Sequence, residues 1–205
     1  KTKHPPADTK PMYKDTSGKI IYSPTDLSNY MESEYASLMD RHFRENPEMF
    51  TPDEQTATNK MLADRGNAYE EQVLKTFKQG DREFGFKVVE IDISSSNREN
   101  AFTETRVALA SDAGVIYQAA LEMDSFRGFS DFLLKDGDGD WQVWDTKLAL
   151  SVKPKFMVQL CCYAEMIQHI TGKRPEVIGI LLGNDEREEF RTSDYFSYYL
   201  QVKAA

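Results

Sequence analysis

The sequence is poor in most of the features that announce a function. It has two cysteines in 205 residues, and they are neighbours, Cys161 and Cys162. Adjacent thiols build no disulfide framework, no paired zinc spacing and no four-cysteine iron–sulfur set. Disulfide-dependent secretion is therefore not expected, and a reducing, cytoplasmic compartment is. No apolar run approaches the ~18 residues of a membrane span. The most apolar stretch, Val177 to Leu182, is only strand-sized. The histidines, His4, His42 and His169, have no ligand spacing. No Gly-x-x-x-x-Gly-Lys-[Ser/Thr] phosphate loop occurs, so no helicase motor is expected within these residues. The chain starts on Lys1 rather than Met, has no signal peptide and stops abruptly at Lys203-Ala204-Ala205; a piece of a longer polypeptide is expected.

Positive charge is scarce as well. Lys and Arg number 25 against 34 Asp and Glu, for a net charge of −9. Such a balance argues against coating nucleic acid by bulk charge, but not against meeting phosphates at one local site. The 40% hydrophobic content is enough for a core in one domain of this length.

Residues 1–21 read as a polar N-terminal arm, with Pro5, Pro6 and Pro11 among five lysines and two aspartates. Residues 22–205 read as one domain. Ser23, Pro24 and Asp26 open a first helix, with Leu27, Tyr30, Met31, Tyr35, Leu38 and His42 at near-helical spacing as far as a break at Pro47. Thr51, Pro52 and Glu54 carry the cap of a second helix, running to about Lys78 with Met61, Leu62, Tyr69, Val73, Leu74 and Phe77 on its apolar face. Strands are expected over Phe84–Ile93, Val115–Leu121, Phe126–Leu134, Trp141–Leu148, Val177–Leu182 and Glu189–Thr192. Helices are expected over about Asn100–Ala110, from Pro154 to about Ile170 (amphipathic, closed by Gly172), and over the Tyr-rich end. The fold class is α/β, with a central mixed β-sheet flanked by helices and an N-terminal helical extension.

The chemistry is concentrated around the run Asp136-Gly137-Asp138-Gly139-Asp140, a strong hairpin turn signal. A turn centred on Asp138 pairs residues whose numbers add to 276, which puts Asp131 opposite Asp145. Opposed residues share a face, and Lys147, two residues on, joins them. Two carboxylates ~5 Å apart repel by about 3 kcal/mol at an effective dielectric of ~20. A divalent cation removes that cost, and paired carboxylate oxygens suit Mg²⁺ or Mn²⁺. An exposed cross-strand salt-bridge set is the structural alternative for Asp145 and Lys147.

Gly128-Phe129-Ser130-Asp131 and Asp145-Thr146-Lys147 resemble motifs II and III of the PD-(D/E)XK nuclease superfamily, in particular its RecB-like group. Gly66-Asn67-Ala68-Tyr69-Glu70 resembles that group's upstream acidic motif. Gln159 and Tyr163 resemble its Gln-x-x-x-Tyr helix, and Ser23-Pro24-Thr25-Asp26-Leu27 its N-terminal helix opening. The likeness spans roughly residues 22–200 and is nearest to RecB-like nucleases often fused to a DNA2/Upf1-type helicase.

The resemblance implies a restriction-endonuclease-like core and metal-dependent hydrolysis of DNA phosphodiesters in repair, recombination or defence. It implies Glu70, Asp131, Asp145 and the Thr146 carbonyl around Mg²⁺ or Mn²⁺, and Lys147 at the water and phosphate. Gln159 and Tyr163 would support the site or touch the substrate backbone. DNA is the implied substrate, a helicase in the same polypeptide the implied partner, and no membrane is involved. Many RecB-like nucleases have His where Tyr69 stands, and iron–sulfur relatives have a first Cys near Ser33; no iron–sulfur cluster is expected. The alternative function is a catalytically inactive DNA-binding or protein-interaction module on the same fold.

Other patterns have plainer readings. Asp136, Asp138 and Asp140 start like a calcium loop, but Trp141 and Lys147 occupy its Gly and Glu positions, so a solvated turn is expected. Cys161 and Cys162 are expected to pack. Lys153, Lys155, Lys173 and Arg174 flank the site as ordinary surface cations or phosphate contacts.

Overall fold

The structure is a computed structural model, describing residues 12–49, 56–80 and 87–205. The hairpin organises it. Asp136 Oδ1 accepts the N–H groups of Asp138 and Asp140, at 3.0 and 2.9 Å, and Gly139 takes a left-handed φ of +87° that a side chain would resist. The strands leaving this turn are β5 (Phe126–Lys135) and β6 (Trp141–Lys147). Their pairs Lys135↔Trp141 through Phe132↔Trp144 all add to 276. The register expected from the turn is the one formed.

Around this hairpin lies a six-stranded mixed sheet in the order β3-β4-β5-β6-β7-β8, where β3 is Val88–Glu90, β4 Val115–Met123, β7 Val177–Leu182 and β8 Arg187–Arg191. Helix α4 (Arg98–Leu109) crosses between the parallel strands β3 and β4, and helix α5 (Pro154–Thr171) between the parallel strands β6 and β7. The other neighbours are antiparallel. The remaining elements are β1 (Tyr13–Lys14), β2 (Ile20–Ile21), α1 (Pro24–Glu32), α2 (Glu34–Glu45), a 3₁₀ turn (Pro47–Met49), α3 (Ala57–Lys78) and α6 (Thr192–Ala204). The chain is thus α/β, with a mixed sheet flanked by helices. Among the described residues no helix is long and apolar enough to cross a membrane.

Alternation along the strands feeds two cores. Leu133, Val143, Ile178 and Ile180 pack with α5 on one face, while Phe132, Leu134, Trp144 and Leu181 pack with Leu74 and Phe77 of α3 on the other. Helix α5 is buried nearly all round from Phe156 to Ile167, not on one stripe, because α1 and α6 cover the side turned from the sheet. Tyr199 fixes α6 there by donating to Glu165, which also holds Lys203 at 2.6 Å. Where Trp144 crosses β7, only a glycine fits: a Cβ on Gly179 would lie 2.5 Å from the indole.

Several expectations change. The first helix divides at Ser33, whose backbone is extended (φ −161°, ψ 106°) and whose hydroxyl accepts the Ala36 N–H at 3.1 Å. The serine ends α1 and caps α2. Tyr35 and Leu38 then turn to solvent, and α2 buries no residue. Helix α3 is capped by Thr56, which accepts from the Asn59 N–H. The expected cap at Thr51, Pro52 and Glu54 lies outside the described residues, and Met61 and Leu62 are exposed because the helix meets the sheet only in its second half. Phe84 also lies outside them, and β3 is shorter than the strand expected there. Strand β8 starts at Arg187, and Thr192 belongs to α6.

The arm is not arm-like over its described part. Strands β1 and β2 pair, and the Met12 N–H donates to Asp26 Oδ2 at 2.8 Å. The same oxygen accepts the Ser23 N–H at 2.6 Å, completing the cap of α1. Burial pushes the Asp26 carboxyl above its usual range despite these bonds.

Candidate active site

The sheet opens around Asp131. On one side the β4–β5 ladder passes from Tyr117↔Phe132 to Ala119↔Ser130, omitting Gln118 and Asp131. On the other side the β5–β6 ladder ends at Phe132↔Trp144, one step short of Asp131 and Asp145. Gln118 has a φ of +54°, a conformation costing on the order of 1–2 kcal/mol for a residue with a Cβ. Asp131 fills the gap with its side chain. Its Oδ2 accepts the Thr146 N–H at 2.8 Å and the Thr146 hydroxyl at 2.7 Å.

Asp145 is 3% exposed, which removes the reading of an exposed salt-bridge set. Its Oδ2 meets the Lys147 ammonium as an ion pair but accepts no hydrogen bond of ordinary geometry. Burial, then the Asp131 carboxylate, push Asp145 up to about 7, against the pull of Lys147. Burial draws the Lys147 ammonium down, but Asp145 and Asp131 more than offset it, so the lysine is held above its ordinary value. The Phe156 ring lies 5.4 Å from its Nζ, a contact that favours the charged form.

Glu70 reaches this point from α3. Its Oε1 accepts from Gln118 Nε2 at 3.2 Å, and the Tyr117 hydroxyl lies beside it. Burial and then Asp131 push Glu70 up to about 8, against the pull of the Tyr117 hydroxyl and the Gln118 amide. Three carboxylates from α3, β5 and β6 therefore feel one another's charge.

Gln159 and Tyr163 lie on α5 beside them. The Tyr163 hydroxyl donates to the Phe129 carbonyl at 2.7 Å, with Gln159 one turn back on the same helix and beside it. Burial first, then Asp145 and Asp131, hold Tyr163 well above its ordinary value, so it stays a donor. These residues clamp β5 onto α5. Gly128 permits the approach: a Cβ there would lie 2.7 Å from Pro24 Cδ and 3.0 Å from Tyr163 Cε1. Gly128→Ala is expected to lower stability by about 1–3 kcal/mol, an overpacking cost; an unchanged urea midpoint would contradict the close packing.

Tyr69 donates to the Leu182 carbonyl and so ties α3 to β7. Tyr69→Phe is expected to cost about 1 kcal/mol; an unchanged urea midpoint would contradict the tie.

Tyr117, Gln118 and Phe156 are the residues that motif reading did not single out. Phe156 has a signal in Pro154-Lys155-Phe156, an apolar residue opening the helix after Lys147. Tyr117 and Gln118 have none, because regular alternation would send them to opposite faces. The flanking cations are largely engaged within the chain: Lys155 with Glu32, Lys173 with Asp140, and Arg174 over the Phe196 ring at 4.1 Å. Cys161 and Cys162 are buried, with thiols pushed up to about 12 chiefly by burial, as packing residues would be.

Among the described residues no three His, Cys, Asp or Glu side chains are drawn close enough to grip an ion as they stand. The donor chemistry nevertheless suits a hard divalent cation: three carboxylates, two of them raised first by burial and then by the Asp131 charge, and a buried Asp145 oxygen with only the Lys147 ammonium against it. At present the Lys147 ammonium is the counterion. No family model matches the chain, and no curated protein matches it.

Proposed function

We propose that the chain is a Mg²⁺- or Mn²⁺-dependent deoxyribonuclease of the PD-(D/E)XK superfamily, RecB-like, with a restriction-endonuclease-like core. The observation that carries the reading is the meeting of Glu70, Asp131, Asp145 and Lys147 where the sheet opens, with carboxyls raised to about 8 at Glu70 and about 7 at Asp145. A partly buried group of like charges, with Asp145 fully buried, beside a held ammonium needs a reason beyond folding, because it works against stability.

Glu70, Asp131, Asp145 and the Thr146 carbonyl would hold the cation. When bound, the metal would lower the pKa of a water and neutralise charge growing on the phosphate. Lys147, kept charged by its carboxylate neighbours, would orient that water and face the developing charge. Gln159 and Tyr163 would keep β5, and hence Asp131, at the depth this geometry needs. The acidity of the domain is compatible with DNA, since the cation reverses the local sign where the phosphate would lie. A helicase in the same polypeptide is the partner the resemblance implies.

The test is cleavage of single- and double-stranded DNA by the purified chain with Mg²⁺ or Mn²⁺ and with EDTA. Cleavage only with a cation is expected. Tight DNA binding without cleavage under any cation would instead make it a non-catalytic module of the same fold.

A further inference from the structure

We infer that Gln118 is a positioning residue: its left-handed backbone turns two successive side chains of β4, Tyr117 and Gln118, onto Glu70 and holds that carboxylate beside Asp131 for the cation. The inference rests on the metal-nuclease reading above and adds to it a residue that none of the motifs contains.

The argument starts from strand geometry. Successive residues of a strand point to opposite faces, so Tyr117 and Gln118 could not both reach one carboxylate from a regular β4. Both do reach Glu70. The φ of +54° at Gln118 makes this possible by breaking the alternation between them. The same break removes Gln118 and Asp131 from the ladder, which frees Asp131 to bond Thr146. One backbone distortion therefore serves two of the three carboxylates.

Placement sets this distortion apart. Three non-glycine residues among those described have positive φ: Gln118, Asp124 and Asp185. Asp124 lies in the turn between β4 and β5, and Asp185 in the turn between β7 and β8, where small polar residues commonly adopt it. Gln118 lies in mid-strand, between Val115 and Met123, facing the site. A strained residue inside a sheet persists where its surroundings hold it, and here the visible contact is with Glu70. An amide suits the task. It donates without bringing a charge that would repel the cation, and it leaves the carboxylate free to accept one.

Gln118→Gly separates positioning from folding, because glycine adopts the left-handed backbone without strain while losing the amide. Mn²⁺ affinity is measured by calorimetry, and melting is measured in EDTA. The expected result is a Kd raised by about tenfold, with melting no lower than that of the parent. The Mn²⁺ concentration for half-maximal cleavage should rise by the same factor, with a smaller fall in maximal rate. In a Glu70→Ala background, Gln118→Gly should change the Kd no further. An unaltered Kd, an equal loss in the Glu70→Ala background, or a lowered melting temperature would each overturn the positioning role while leaving the nuclease reading intact. A parent protein that binds no Mn²⁺ would overturn both.

Discussion

Asp145→Asn is expected to abolish cleavage while making the metal-free protein more stable, and Lys147→Met to abolish cleavage while making it less stable. In the proposed nuclease both residues would stand where charge develops at the phosphate, so loss of either should lower the rate by roughly 10²–10³-fold or more. Their effects on folding differ because the burial problem differs. Asp145 is buried against Asp131, and its raised carboxyl means that the fold opposes its charge. Asparagine keeps the shape and removes that charge, so a gain of about 2 kcal/mol is expected at pH 8, net of the lost pair with Lys147. Lys147→Met does the reverse. It takes away the ammonium now facing Asp145 and leaves the carboxylates unbalanced, a loss of roughly 3–5 kcal/mol for a broken buried pair. Urea unfolding in EDTA at pH 8, beside a cleavage assay, reads both. Cleavage undiminished in both variants would remove the catalytic assignment. A destabilised Asp145→Asn would show that the carboxylate is a structural asset.

The second large effect is on pH and metal. Glu70 and Asp145 have folded values of about 8 and about 7, against about 4 in the unfolded chain. A raised carboxyl contributes its full stability below the unfolded value and loses it as pH rises through the folded one. Without metal, stability is therefore expected to fall from about pH 4 to about pH 8, by several kcal/mol for the coupled group. Asp26, raised by burial, acts in the same direction. Asp15 and Asp112, whose carboxyls are lowered, complete their changes below this window. Mg²⁺ or Mn²⁺ should restore the loss at pH 8 and add little at pH 5, where protons compete for the same oxygens. Midpoints measured in EDTA and in metal across pH 5–8 decide the matter. Stability that rises toward pH 8 in EDTA would contradict the buried-carboxylate account.

The legible parts were those set by local chemistry. The Asp-Gly turn fixed the pairing of β5 and β6, and that pairing carried Asp131 and Asp145 to one place. Pro154 and Gly172 bracketed α5, where Gln159 and Tyr163 fall on one side. The break at Ser33 is not legible in the sequence, because a helical apolar spacing runs through it while its cap acts at one residue only. The exposed start of α3 is hidden for a related reason: periodicity shows an apolar side but not whether anything covers it.

By itself, then, the sequence determined the α/β order, the hairpin register and the company of Asp131, Asp145 and Lys147, because turn residues and strand alternation act over a few bonds. Only the tertiary structure decided how that company is used. It buried Asp145, brought Glu70 across from α3, turned Tyr117 and Gln118 together by a left-handed residue in mid-strand, and made Tyr69 a tie to β7. The physical reason is that burial, opposed charge and backbone strain depend on segments far apart in the chain meeting at one point. No local pattern records their sum.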